Sequence, residues 1–119
     1  MSASPIRVAS DYKPVGEYKP VGWMQWPDNP DYSFQFMRVL GAAQEGASTV
    51  SECFQAGTRI IPGDDESWYA EWTSLGHRNK QRAEEALAQG HVQSARDNWL
   101  RAANYFRSAE FFLHHDDPR

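Results

Sequence analysis

From Val92 onward, apolar residues fall at Val92, Ala95, Trp99, Ala102, Phe106, Ala109 and Leu113, an unbroken alternation of three- and four-residue steps. That is the period of one helix face, sustained here for about six turns. A second periodic run, "ESWYAEWTSLGHRNKQRAEEALAQG", precedes it and closes on Gly90, the residue type best suited to end a helix. Asp64 and Asp65 stand at its start, where carboxylates favour the positive end of the helix dipole, so a helix is predicted over 65–89. Folding the two runs back about Gly90 sets Ala86 near Ala95, Ala83 near Trp99, Asn79 near Ala102, Gly76 near Phe106 and Trp72 near Ala109. Large side chains then meet small ones at nearly every level, which lets two helices approach without voids. The register also explains Gly76, since a helical glycine costs about 1 kcal/mol relative to alanine.

Two shorter helices are predicted upstream. Asp31 is a capping residue ahead of Phe34, Met37, Val39 and Leu40, giving a helix over 32–41 that ends at Gly41. Thr49 and Glu52 have capping-box spacing ahead of Val50, Cys53, Phe54 and Ile60, in a helix that stops before Pro62. Pro27 and Pro30 keep helix out of the preceding stretch. Two copies of YKPVG, Tyr12 to Gly16 and Tyr18 to Gly22, imply an extended arm, because each proline disfavours helix at the lysine before it. The expected organisation is an arm over 1–30 and an all-α domain over 31–119, in which a long antiparallel hairpin follows two short helices. A duplicated terminal tail is the plain reading of the arm, and an adhesive arm that docks its tyrosines is the sharper one.

A chain of 119 residues that is 40% hydrophobic suffices for one small core. Five Trp, five Tyr and six Phe are a heavy aromatic load, of the kind used in cores or partner surfaces. The net charge of −4 and the mixing of acids with bases leave no basic footprint for nucleic acid. No apolar run reaches the roughly 20 residues that span a bilayer, and "MSASPIRVAS" has no apolar signal core. The single Cys53 has no internal disulfide partner, so a reducing, cytoplasmic setting is expected.

Candidate chemistry is sparse. His77, His91, His114 and His115 form no triad or metal motif with the acids, and "HHDD" at His114 to Asp117 has no second ligand cluster, so no metal site or cofactor is assigned. No G-x-S-x-G elbow occurs, and Cys53 is expected to be a buried structural thiol. Trp72, Leu75 and Gly76 match the opening of a tetratricopeptide consensus, and Gly90, Ala95 and Ala102 fit a second, incompatible register. A lone repeat-like hairpin therefore fits better than an array. On a helical wheel Glu110 falls in the Trp99/Phe106/Leu113 stripe, where a carboxylate is expected to pair with Arg107 or a group from another helix. Tyr105, Phe111 and Phe112 are expected on the other side of that helix, covered in part by the two short helices and for the rest by something outside this chain.

"GDDESWYAEW" and "GHVQSARDNWLRAANYFRSAEFF", within a likeness covering about 32–119, resemble the N-terminal helical region of a group of alpha/beta-hydrolases. The group includes 2,6-dihydroxypseudooxynicotine hydrolase and fungal polyketide-shortening hydrolases. The resemblance implies a cap that packs over a catalytic domain bearing a Ser-Asp-His triad, helps to enclose substrate and, in some members, forms a dimer. It assigns no catalytic residue to this chain, which is expected to be inactive alone. It implies that Trp68, Tyr69, Trp72, Asn104, Tyr105, Glu110 and Phe111 wall the substrate cavity or face the catalytic domain or subunit. The rival from another class is a stand-alone helical module that binds a protein through its aromatic surface.

Overall fold

A computed structural model describes residues 24–119, and the tandem YKPVG motif lies outside the described residues. The order is α1 (Pro30–Gly41), a 3-10 turn (Ala42–Glu45), α2 (Val50–Arg59), α3 (Asp65–Ala88) and α4 (Val92–Ala109). No strand occurs among the described residues. None of their helices is long and apolar enough to cross a membrane.

The α3–α4 hairpin dominates the packing, and α1 and α2 cross the half of it that holds the start of α3 and the end of α4. Gly90 turns the chain at φ 78°, a left-handed conformation that glycine adopts without steric cost. The predicted register is present. A Cβ at Gly76 would lie 2.6 Å from the Phe106 ring, while Ala83, Ala95 and Ala102 are buried between the helices.

The helix starts follow local capping chemistry. Asp64 accepts from the backbone N–H groups of Glu66 and Ser67 and opens α3 as predicted. For α1 the cap is Asn29, which accepts from Tyr32 N–H at 3.2 Å, and Pro30 takes the first helical position; Asp31 lies inside. Proline suits that position because its missing N–H would have no intrahelical partner.

Apolar positions in the short helices divide differently from the expectation. Val39, Cys53 and Ile60 are buried, whereas Phe34, Met37, Val50 and Phe54 face outward and Tyr32, Ser33, Phe36 and Ala56 point in. Around α1 the inward and outward sets lie on opposite sides, so the helix carries apolar residues on both faces.

The end of α4 is a correction. The helix stops at Ala109 instead of running on to Leu113, and Glu110 and Phe111 donate to Arg107 and Ser108 in a tightened turn. The chain leaves the helix where its aromatics find better partners than the next helical turn offers. Phe112 stacks on Tyr32 at 4.4 Å between centroids, and Phe111 lies under Arg38 at 5.1 Å.

These rings close an aromatic core in which Trp68, Trp72 and Tyr105 are all 0% exposed. Trp68 meets Tyr32 and Phe112 edge-on, and its indole N–H donates to Ser108 C=O at 2.8 Å. Trp72 stacks on Tyr105 at 5.8 Å. Its buried indole N–H finds no acceptor among the described residues, an uncompensated cost of about 1–3 kcal/mol.

Candidate functional site

Two constellations of polar side chains stand out, one buried between α2, α3 and α4 and one open along the outer face of α3. The buried one centres on Glu52. Thr49 caps α2 by accepting from Glu52 N–H at 3.1 Å, as the capping-box spacing predicts. The reciprocal half of the box is rearranged. Tyr105 hydroxyl, from α4, accepts from Thr49 N–H at 3.0 Å and donates to Glu52 Oε1 at 2.9 Å.

Glu52 is thereby freed to gather donors from the other helices. Oε1 also accepts from Thr49 hydroxyl at 3.2 Å, while Oε2 accepts from Asn79 Nδ2 at 3.1 Å and from Arg82 at 3.0 Å. Asn79 carbonyl oxygen in turn accepts from Arg101 Nε at 3.1 Å. Burial alone would push the Glu52 carboxyl up, but the hydrogen bonds from Tyr105, Arg82, Asn79 and Thr49 outweigh it and hold the group below the ordinary carboxylate range. A carboxylate offers about four acceptor sites and all are taken, so Glu52 ties helices together and has no free lone pair for acid–base chemistry.

The open constellation is a groove of about 600 Å³ along α3, lined by Tyr69, Thr73, His77, Arg78 and Gln81, with Glu66 and Arg119 at its head. Arg119 forks onto both Glu66 oxygens at 3.0 and 2.8 Å and sits 4.4 Å above the Tyr69 ring. It also bonds Asp117 at 2.6 Å, and this contact holds the Asp117 carboxyl down at about 2. At the other wall His77 meets the Phe106 ring edge-on at 5.0 Å.

The structure separates the seven residues that the resemblance singled out. Trp68, Trp72 and Tyr105 are core, so the chain itself covers Tyr105 in full, where only partial cover was expected, and Phe112 is covered in part by Tyr32. Asn104 is half-buried and donates to Ala47 C=O at 2.9 Å, fixing the loop before α2. Tyr69 belongs to the groove and Phe111 lies beside α1. Glu110 is exposed and has no ion pair among the described residues, because the helix ends at Ala109 and releases it from the stripe.

Sequence reasoning missed the Glu52 hub. The capping-box spacing was its visible signal, but the carboxylate's other partners lie 27 to 53 residues away. Cys53 is buried, as expected, and burial pushes its thiol up to about 11, which leaves it protonated and unreactive. His114, His115 and Asp116 come together at the surface, all exposed.

Comparison with known proteins decides the relationship. Hydrolase acrC of Aspergillus aculeatus is 41% identical over 90 residues, which are 74% of this chain and 21% of that protein. The chain matches part of the fungal alpha/beta-hydrolases. The 20-hydroxy-prefusarin hydrolase of Gibberella moniliformis is also 41% identical over 90 residues, 74% of this chain and 22% of that protein. The alpha/beta hydrolase gkaG of Penicillium citrinum is 38% identical over 96 residues, 79% of this chain and 22% of that one. The chain thus spans about a fifth of the length of the curated relatives it matches. No family model and no solved structure matches it.

Proposed function

We propose that this chain is the cap portion of an alpha/beta-hydrolase that cleaves an ester, or a carbon–carbon bond beside a carbonyl. Its part is enclosure and packing, and the catalytic groups lie elsewhere in the enzyme. The supporting observation is the match to about a fifth of longer hydrolases, by a region whose buried carboxylate and thiol are committed to structure. Glu52 is saturated with donors, and the Cys53 thiol is buried and protonated. What the helices can supply is a rigid wall that excludes water and positions a substrate, the usual contribution of a lid.

The outward Phe34, Met37, Val50 and Phe54 favour a second reading, a helical module that binds another protein without turnover. Mixing separates the two. Hydrolase acrC lacking its matched region is assayed on a panel of aryl esters, alone and with this chain. Hydrolysis restored only in the mixture is the expected result, whereas binding without turnover favours the module. Ester hydrolysis by the purified 119-residue chain alone would overturn the non-catalytic assignment.

A further inference from the structure

We propose that the tandem YKPVG segment, residues 12–22, docks in extended form on the outward apolar face where α2 meets α1 of the same molecule. The proposal goes beyond the cap reading and is independent of it, since it assigns an occupant to this surface without reference to hydrolysis.

A polyproline-like chain has three residues per turn, so positions three apart share one edge. In this segment one edge is Tyr12, Val15, Tyr18 and Val21, while Lys13 and Lys19 fall on a second and Pro14 and Pro20 on the third. The motif recurs after six residues, two full turns, so both copies present the same edge. From Tyr12 to Val21 that edge is about 28 Å long at 3.1 Å per residue. The next position in the same register is Met24, the first described residue, which is half-buried. An edge so uniformly apolar gains by contact with an apolar surface.

The surface is made by two helices. Val50 and Phe54, one turn apart on α2, and Ile61 just beyond its end are all substantially exposed. Phe54 packs edge-on against Phe36 of α1 at 5.7 Å, and the adjoining Met37 is exposed as well. Ser51, Gln55 and Thr58 are exposed polar residues of the same helix. An apolar patch with a polar rim is the usual form of a contact surface.

The path of the chain names the occupant. Trp26 packs edge-on against Phe36 at 5.3 Å, so a row of rings leads from the start of the described residues to Phe54. Gln25 lies over α2, with its amide nitrogen 3.2 Å from the place of a Cβ on Gly57. From Gly57, Phe54 is one turn back along α2 and Val50 two, about 10 Å in all at 1.5 Å per residue. The stretch from Val21 to Gln25 reaches about 12 Å in polyproline-like form, so the Tyr18–Val21 part of the edge can lie along these side chains. A tether this short gives an effective concentration of about millimolar, which favours the chain's own segment over that of a second molecule. Pro14 and Pro20 fix the backbone in advance and reduce the ordering cost of docking.

Thiol reactivity in the full chain tests the docking. Val50→Cys is made with the segment intact and again with Tyr12→Ser and Tyr18→Ser, and Leu87→Cys at the far end of the hairpin is the control. Buried Cys53 gives little background. Val50→Cys is expected to react with iodoacetamide about tenfold faster once the tyrosines are replaced, with Leu87→Cys unchanged. Lys13→Ser with Lys19→Ser, on a different edge, is expected to leave Val50→Cys protected.

Equal rates with and without the tyrosines overturn the docking, and an equal loss of protection from the lysine pair overturns the edge. Protection that rises with protein concentration gives the face to the segment of a second copy and overturns docking within one molecule. If Val50→Cys does not fold, NMR of the unmodified chain decides. Cross-peaks between the Tyr12 or Tyr18 ring protons and the Val50 methyl groups support the docking, and their absence overturns it.

Discussion

The far end of the α3–α4 hairpin and the junction where α1 and α2 cross it are held together differently. At the far end the buried side chains are the small Ala83 and Ala95, and Leu87, Val92, Trp99 and Leu100 are all substantially exposed. At the junction Trp68, Trp72 and Tyr105 are sealed, and one carboxylate is bonded from three helices. A regular small-on-large ladder sets a register with little buried area. An irregular aromatic cluster buries much more, at roughly 25 cal/mol per Å² of apolar surface.

The largest effect that tests this contrast is Trp68→Ala. Loss of the ring and of its bond to Ser108 is expected to cost about 3–5 kcal/mol and abolish cooperative unfolding of this small domain in urea. A midpoint close to that of the unmodified chain would mean the junction is not the principal source of stability.

Next is Glu52→Gln, which puts an amide N–H₂ where donors converge. A cost of about 1–3 kcal/mol is expected, with no change in the urea dependence. Because the folded-state pKa of Glu52 lies below its unfolded value, its contribution is complete above the ordinary carboxylate range and is lost as pH falls through the folded value. Urea titrations should therefore show the difference between Glu52→Gln and the unmodified chain shrinking as pH drops below about 4. A constant difference across that range would remove the ionised hub.

Gly76→Ala probes the ladder. The new methyl overlaps the edge of the half-buried Phe106 ring, which must swing outward, and this offsets the helix-propensity gain of about 1 kcal/mol. The expected result is a stability equal to or below that of the unmodified chain, by up to about 1 kcal/mol, in urea unfolding. A clear gain would show that the helices are not packed so closely there. Arg119→Ala should change stability least in the same assay, because its partner Glu66 is exposed.

Glu110 and Tyr105 show where sequence reasoning ended. The placement of Glu110 assumed that α4 runs straight to Leu113. A helical wheel has no term for the stacking of Phe112 on Tyr32, a ring 80 residues away that draws the chain out of helix. Tyr105 was placed on the side away from α3, where the short helices were expected to give partial cover, and the loop before α2 and α2 itself take its hydroxyl. In the candidate site, Tyr69, which the family resemblance singled out, lines the groove. Arg119 and Glu66 were not singled out, since the tail's return path depends on the bend after Ala109.

The sequence by itself determined the helices and the hairpin register, because capping and three-to-four spacing are local properties repeated many times, and Gly76 opposite Phe106 follows from counting back across Gly90. Only the tertiary structure decided the partners of Glu52, the end of α4 and the groove headed by Arg119. Each depends on one long-range meeting of side chains, and such a meeting leaves no period in the sequence to read.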